Sequence, residues 1–123
     1  MIGYTTVGVA DMEKAKTFYC KLFEDQGAKV QLDGGRIAMI GASKSEPMIA
    51  VCKPYDKELP TPGNGVMIAF PAKSKEHVSE MYEKALALGA TSEGEPGQRV
   101  PGVFYGAYVR DLDGNKLAFF VFE

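Results

Sequence analysis

Apolar and polar residues follow an order along the chain that occurs twice. The first half predicts a strand at residues 3–9, a helix that Asp11 caps and Gly27 ends, a hairpin at 30–40 and a strand at 47–52. In the helix the apolar residues recur at steps of three and four: Met12, Ala15, Phe18, Tyr19, Leu22 and Phe23. A 12-residue loop from Lys53 to Asn64, with three prolines, then separates the two halves.

The second half repeats this order with different letters. It predicts a strand at 65–70, a helix between Ser74 and Gly89, a Gly/Pro-rich segment at 93–101 that lies outside the strands, and strands at 104–110 and 116–122. A shift of 63 residues lays one predicted helix cap, Asp11, on the other, Ser74. The sequence therefore predicts one domain, residues 1–123, built from modules at about 1–60 and 64–123.

Composition narrows the function classes. Of 123 residues 46% are hydrophobic, and the net charge of −2 argues against a nucleic-acid partner, which needs surplus Lys and Arg. No apolar run approaches the roughly 18–20 residues that cross a membrane, and the N-terminus has no secretory signal. Cys20 and Cys52 lie outside any Cys-x-x-Cys spacing, so neither a disulfide framework nor a zinc site is implied. Both thiols are expected to be inert, since Cys52 ends an apolar strand with no histidine to activate it and Cys20 lies beside the apolar stripe of the helix. A cytoplasmic enzyme or small-molecule binder, without a membrane partner, fits these features.

Three segments carry a family resemblance. Residues 7–19 (VGVADMEKAKTFY), 85–90 (ALALGA) and 104–117 (FYGAYVRDLDGNKL) resemble the opening strand and helix, the end of the second helix and the closing hairpin of the glyoxalase/bleomycin resistance/extradiol dioxygenase superfamily, also called vicinal oxygen chelate. The resemblance implies an α+β fold. Two βαβββ modules would form a cupped eight-stranded mixed sheet, with the helices on its outer face and a ligand on its inner face.

The resemblance also implies where a divalent metal would bind. The family's ligand positions fall on Tyr4, Met67 and Ala118, with a fourth near Ile49, give or take one residue. These side chains lack the imidazole and carboxylate groups that such ions prefer, so we expect no metal and no cofactor. The only histidine, His77, is expected to be a solvated residue of the second helix.

Strand alternation selects the residues that should face the ligand. Arg99 is included as a mobile lid residue, and Tyr108 is preferred to Tyr105 because only one of them can face the cup. Arg36 is interpreted as an exposed turn residue, although it could pair with an anionic ligand. The predicted ligand-binding residues are Tyr4, Thr6, Met39, Met67, Ala69, Arg99, Tyr108, Ala118 and Phe120.

The sequence is compatible with three functions. The first is a metal-free binding protein of the bleomycin-resistance kind, which the resemblance implies to be a homodimer and which would take a small aromatic or amphipathic molecule. The second is a glyoxalase-like lyase or thiol transferase whose divalent metal is held by other residues. The third is a non-catalytic interaction protein with a collapsed cup. The sequence identifies neither catalytic residues nor the ligand.

Overall fold

The computed structural model describes all residues, 1–123, and divides into two compact units, unit 1 (residues 1–62) and unit 2 (residues 63–123). In unit 1 one helix accompanies a four-stranded mixed sheet in the order β1-β4-β3-β2. Strand β1 runs parallel to β4, and the other pairs are antiparallel. The elements are β1 (Tyr4–Gly8), α1 (Met12–Leu22), β2 (Lys29–Asp33), β3 (Ile37–Gly41) and β4 (Met48–Cys52).

The core of unit 1 forms where the apolar stripe of α1 meets one face of the sheet. Asp11 begins the helix by accepting a 3.0 Å hydrogen bond from the Lys14 backbone N–H, as the sequence predicts. Alternate strand residues point toward the helix and are buried, because successive side chains of a strand face opposite sides. The buried positions are Val7, Ala38, Ile40, Ile49 and Val51 on the strands, and Ala15, Phe18, Tyr19 and Leu22 on α1.

Unit 2 repeats the arrangement with the strand order β5-β8-β7-β6. Strands β5 and β8 are parallel, and the remaining pairs are antiparallel. The elements are β5 (Ile68–Pro71), α2 (Lys75–Ala87), β6 (Thr91–Val100), β7 (Phe104–Arg110) and β8 (Lys116–Val121). Neither α1 nor α2 has the length and apolarity that a membrane-crossing helix requires.

The predicted α+β fold class is confirmed. All eight strands are present, and they hydrogen-bond as two four-stranded mixed sheets, one in each unit. The predicted shift also holds for the helices, since Met12 begins α1 and Lys75, 63 residues later, begins α2. The caps correspond as well, because the Ser74 hydroxyl accepts the His77 backbone N–H at 3.0 Å.

The end of α1 differs from the prediction. The helix ends at Leu22 rather than continuing to Gly27, and Glu24–Gln26 form a short 3₁₀ turn. Helices commonly tighten to this geometry at their ends. Gly27, at φ 80°, closes the 3₁₀ turn, so its left-handed conformation is where the sequence indicated but terminates a different element.

The Gly/Pro-rich segment at 93–101 was predicted wrongly as a non-strand region, because most of it belongs to the ten-residue strand β6. Its pairing with β7 shifts register between Ser92 and Gly94, between Gly94 and Gly97, and between Gln98 and Val100. These irregularities interrupt the two-residue alternation that reveals a strand. Strand β6 is also an edge strand, where Pro96 is tolerated because one side has no ladder to complete.

Candidate functional site

In unit 1 the sheet face opposite α1 carries three of the predicted ligand-binding residues. Thr6 pairs with Ala50, and Ala50 pairs with Met39, so these three side chains form one row across β1, β4 and β3. Tyr4 lies two residues before Thr6 on the same face and is 50% exposed. The face thus offers a phenol, a hydroxyl and a thioether, with no charged group among them.

In unit 2 the corresponding face carries a row of small residues around one aromatic ring. Ala69 pairs with Ala118, Ala118 with Tyr108, and Tyr108 with Gly94. The register therefore brings the predicted residues Ala69, Ala118 and Tyr108 together on one face. Because its row neighbours are alanine and glycine, the Tyr108 ring stands above a shallow surface.

Two cations lie over the Tyr108 ring. The Arg99 guanidinium is 5.2 Å from the ring centroid, and the Lys116 ammonium is 5.3 Å from it. Arg99 also donates a hydrogen bond from Nη2 to the Glu95 carbonyl oxygen. Lys116 is not among the predicted residues, although it stands two residues before Ala118 and strand alternation places it on the same face.

Two glycines of β6 make room for this arrangement. A Cβ at Gly94 would approach Tyr108 Cδ2 to 2.9 Å, and a Cβ at Gly97 would approach Arg99 Nη1 to 2.7 Å. Both distances are too short for a side chain at either position without displacing its neighbour. Gly94 and Gly97 therefore let the tyrosine ring and the guanidinium lie close to the sheet. We call Tyr108, Arg99 and Lys116 the cation–ring cluster.

Beside the cation–ring cluster lies a second aromatic group. Phe120 pairs with Gly106 and Pro71, one alternation step along β8 from Ala118. Its ring stacks on Phe104 with centroids 5.3 Å apart and meets Phe122 edge-on at 4.9 Å. Phe104 and Phe122 were not among the predicted residues, although Phe122 shares the parity of Phe120.

Two predicted residues lie elsewhere than expected. Met67 comes one residue before β5, where it is 42% exposed, so it does not stand in the strand row with Ala118. Arg99 lies on the strand β6 and not in a loop, which removes the basis for a mobile lid. Tyr105 stacks under the Lys75 ammonium of α2 at 5.3 Å, and of the two tyrosines only Tyr108 stands in register with Ala118.

The side chains at the family's metal positions do not fit a divalent metal. Ile49 pairs with Thr5 on the helix side and is 6% exposed, so the face position must be Met48 or Ala50, within the one-residue margin. Neither they nor Met67 and Ala118 carry an oxygen or nitrogen donor in the side chain. Nowhere in the chain do three or more His, Cys, Asp or Glu residues group in a way that could hold a metal ion.

The expectation of a solvated His77 is wrong. Its side chain is 7% exposed, and its Nδ1 accepts a 3.0 Å hydrogen bond from the Lys73 backbone N–H. Together with the Ser74 cap, this bond satisfies two backbone N–H groups at the start of α2. The position of His77 is therefore explained by helix capping, a role that a residue in the first turn of a helix can have.

The two cysteines are free and half-buried. Burial raises the pKa of the Cys20 thiol, which disfavours the reactive thiolate.

The buried carboxylate of Asp111 accepts hydrogen bonds from the backbone N–H groups of Asp113 and Asn115, each at 2.9 Å. The Asp111 carboxylate therefore stabilises the turn between β7 and β8.

The sequence is similar to known proteins along nearly its whole length. The family model described as Glyoxalase/Bleomycin resistance protein/Dioxygenase superfamily matches residues 1–119. A glyoxalase/bleomycin resistance protein from Albidiferax ferrireducens T118 is 28% identical, with a TM-score of 0.85 over 98% of this chain and 97% of that one. No functionally curated protein shows significant similarity to the chain.

Two further solved structures extend the likeness. A hypothetical protein from S. aureus is 26% identical, with a TM-score of 0.76 over 98% of this chain and 92% of that one. A lactoylglutathione lyase from Agrobacterium tumefaciens is 22% identical, with a TM-score of 0.71 over the same shares, 98% and 92%. At that identity, the last likeness shows a common fold and not a common activity.

Proposed function

This chain belongs to the glyoxalase/bleomycin resistance protein/dioxygenase superfamily, and we propose from that premise that it binds a small aromatic or amphipathic molecule without a metal ion. The observation that carries the proposal is the cation–ring cluster of unit 2. A tyrosine ring with two cations over it, on a surface of small residues, suits a flat ligand that carries an anionic or electron-rich group.

The neighbouring side chains support the same ligand class. The stacked Phe104 and Phe120 rings extend the apolar surface beside Tyr108, and covering such surface yields roughly 25 cal/mol per Å². Considered by itself, the sheet face of unit 1 opposite α1 also carries hydroxyl groups, on Tyr4 and Thr6, that can donate or accept hydrogen bonds. Apolar area with a few polar groups is the usual composition of a small-molecule site.

The metal-dependent alternative finds no support in the donor chemistry. Lyase or dioxygenase reactions of this superfamily's usual kind need a divalent ion to polarise an oxygen or activate a thiol. Tyr4 is the only oxygen donor at the aligned positions, and its phenol would have to lose a proton that ordinarily leaves near pH 10. We therefore assign binding, and no catalytic step, to this chain.

A fluorescence titration with anilinonaphthalene sulfonate, a flat amphipathic anion, tests the proposal. The wild-type protein should bind it saturably, and Tyr108→Ala should weaken binding by about tenfold through loss of ring contact. The double variant Arg99→Gln, Lys116→Gln should weaken it by a similar factor. A matched control, Lys14→Gln with Lys44→Gln, removes two exposed cations of unit 1 that lie on α1 and on a loop, and should leave the affinity unchanged.

Two results would contradict the proposal. One is equal affinity of Tyr108→Ala and the wild type, with both proteins folded by circular dichroism. The other is a stoichiometric metal, measured by mass spectrometry of the purified protein, whose removal by a chelator abolishes binding.

We also propose a homodimer, as the family resemblance implies. Light scattering at micromolar concentration tests it through the molar mass.

A further inference from the structure

Unit 1 contains a cavity that the proposed function does not use. Its volume is about 470 Å³, and it lies where the parallel strands β1 and β4 end. Val9 and Ala10 follow β1, Lys53 and Pro54 follow β4, and Arg36 precedes the antiparallel strand β3. The topology thus brings three strand ends to one edge of the sheet, and residues 57–60 complete the wall. We call this the loop cavity.

The charges around the loop cavity are unbalanced. Arg36, Lys53 and Lys57 line it, against a single carboxylate, that of Glu58. None of the three cations forms an ion pair within unit 1. Exposed cations that lack a carboxylate partner and converge on one concavity attract an anion, and a site partly shielded from water strengthens that attraction.

Arg36 is held in place before any ligand arrives. Its Nη1 donates a 2.9 Å hydrogen bond to the Lys53 carbonyl oxygen, and its own carbonyl accepts the Lys53 backbone N–H at 2.9 Å. Its guanidinium also lies 5.6 Å from the ring centroid of Tyr55. A guanidinium fixed in this way loses little conformational entropy on binding, and its remaining N–H groups suit the paired oxygens of a carboxylate or phosphate.

Lys57 adopts a backbone conformation that lysine rarely takes. Its φ is 67°, the one positive value among the non-glycine residues. The turn is fixed by the Lys57 N–H bond to the Pro54 carbonyl oxygen at 3.0 Å and by Asp56, which accepts the Glu58 N–H at 2.9 Å. A left-handed lysine costs on the order of 1 kcal/mol, where glycine would cost almost nothing. A positively charged side chain is therefore kept at a position that suits glycine better.

We propose that the loop cavity binds a small organic anion, whose carboxylate or phosphate group is held by Arg36 between Lys53 and Lys57. The apolar part of the ligand lies against Leu59 and Pro60, which form the wall beyond the charges. This site shares no residue with the cation–ring cluster, so either can exist without the other.

An NMR titration of the isotope-labelled protein locates and measures the binding. Phenyl phosphate and benzoate should shift the amide signals of residues 9–10, 36 and 53–59 saturably. Benzyl alcohol, which has the ring without the charge, should bind at least tenfold more weakly. Inorganic phosphate should bind more weakly than phenyl phosphate, because it lacks the apolar part.

Substitutions separate the site from general surface charge. Arg36→Gln should weaken phenyl phosphate binding by about tenfold, the effect of losing a charge-assisted hydrogen-bond pair. Lys44→Gln, on an exposed loop of the same unit, should leave it unchanged. Lys57→Gly should weaken binding by about threefold while the melting temperature stays equal or rises, because glycine accepts the positive φ without strain.

Each contrary result overturns the proposal. Unchanged affinity in folded Arg36→Gln would show that the guanidinium does not hold the anion. Equal binding of benzyl alcohol would show that the charge is not recognised. Amide shifts confined to β6, β7 and β8 would place phenyl phosphate at the cation–ring cluster, which would support the proposed function and refute the loop cavity.

Discussion

Unit 1 and unit 2 build the same arrangement of one helix on a four-stranded mixed sheet, yet their opposite faces differ in chemistry. In each unit a capped helix covers a sheet whose first strand runs parallel to the last. The face opposite the helix carries Tyr4, Thr6 and Met39 in unit 1, with Lys29 at its β2 edge, and the cation–ring cluster in unit 2. The connecting strands differ too, since β2 has five residues and β6 has ten.

The difference separates what the fold requires from what a ligand requires. A helix-facing position needs only an apolar side chain of about the right volume, so both units satisfy it with different residues. Phe18 of α1 corresponds in this way to Met81 of α2, and both are buried. Residues on the opposite face do not have to pack against the helix. They can therefore differ between the two units, and among members of this superfamily that differ in function.

The largest expected effect comes from emptying the buried core on the helix side, which both units share. Phe18→Ala in unit 1 and Phe119→Ala in unit 2 each empty a fully buried position, and each should lower the free energy of unfolding by about 3–5 kcal/mol. Phe122→Ala, at a residue 75% exposed on the opposite face, should cost less than about 1 kcal/mol. Denaturation in urea measures all three. Comparable losses at Phe122 and Phe119 would mean that unit 2 has a second core on that face.

The next effect concerns hairpin turns, which a buried aspartate stabilises in unit 2 and an exposed aspartate in unit 1. Asp111 is 5% exposed and accepts hydrogen bonds from the Asp113 N–H, the Asn115 N–H and the Asn115 side-chain amide. Asp111→Ala leaves these donors unsatisfied and should cost about 2–3 kcal/mol in urea denaturation. Asp33→Ala alters the exposed hairpin turn of unit 1 and serves as the control, with a clearly smaller expected loss. Equal losses would refute the role of burial.

Helix caps give a smaller effect that sharpens the comparison. Asp11→Ala and Ser74→Ala each remove a side-chain acceptor from a helix start, and each should cost about 1 kcal/mol. His77→Ala should add a loss in unit 2, because the Nδ1 of His77 accepts the Lys73 backbone N–H just before the Ser74 cap. Thermal unfolding of the single and double variants checks this. If the loss of stability in the double variant equals the sum of the losses in Ser74→Ala and His77→Ala, the two bonds do not act as one cap.

The helix side of both units could be predicted from the sequence because its signals are local. Apolar spacing and capping residues depend on neighbours three or four positions away, and they located Asp11, Ser74 and the 63-residue shift. The same alternation put Tyr108, Ala118 and Ala69 on one face, as the strand register has them. Short-range periodicity is thus enough for the elements and for which face a residue occupies.

The features that failed depend on distant partners. Strand β6 is defined by its irregular pairing with β7, which leaves no alternation in residues 93–101. His77 is the exception, because its Nδ1 accepts the N–H of Lys73 only four residues before it, a contact that the apolar spacing of the helix does not indicate. The loop cavity likewise needs Arg36 to meet residues 53–60, which are joined to it only through the sheet. Such placements come from tertiary structure, so the sequence alone indicates no more than an exposed turn residue at Arg36.

The smallest expected effect is a loss of stability in acid that both units share. The Gly35 backbone N–H and then the Lys16 ammonium hold the pKa of Asp33 below its ordinary value of 3.8. Arg110 holds the pKa of Glu93 below its ordinary value of 4.5. Because the unfolded chain takes up these protons at higher pH than the folded chain, the stabilisation is complete above about pH 5 and is lost as pH falls through the folded-state pKa values.

Neutral variants at these two carboxylates should remove part of that pH dependence. Between about pH 6 and about pH 3, the melting temperature of Asp33→Asn or Glu93→Gln should fall less than that of the wild type, because the variant has no proton left to take up there. Both groups are exposed, so the differences should be small and should shrink further in salt. Glu80→Gln, on the exposed side of α2, should follow the wild type. A steeper fall of the melting temperature in either test variant would contradict the prediction. It would mean that the carboxylate destabilises the folded protein, whereas its contact with Lys16 or Arg110 predicts stabilisation.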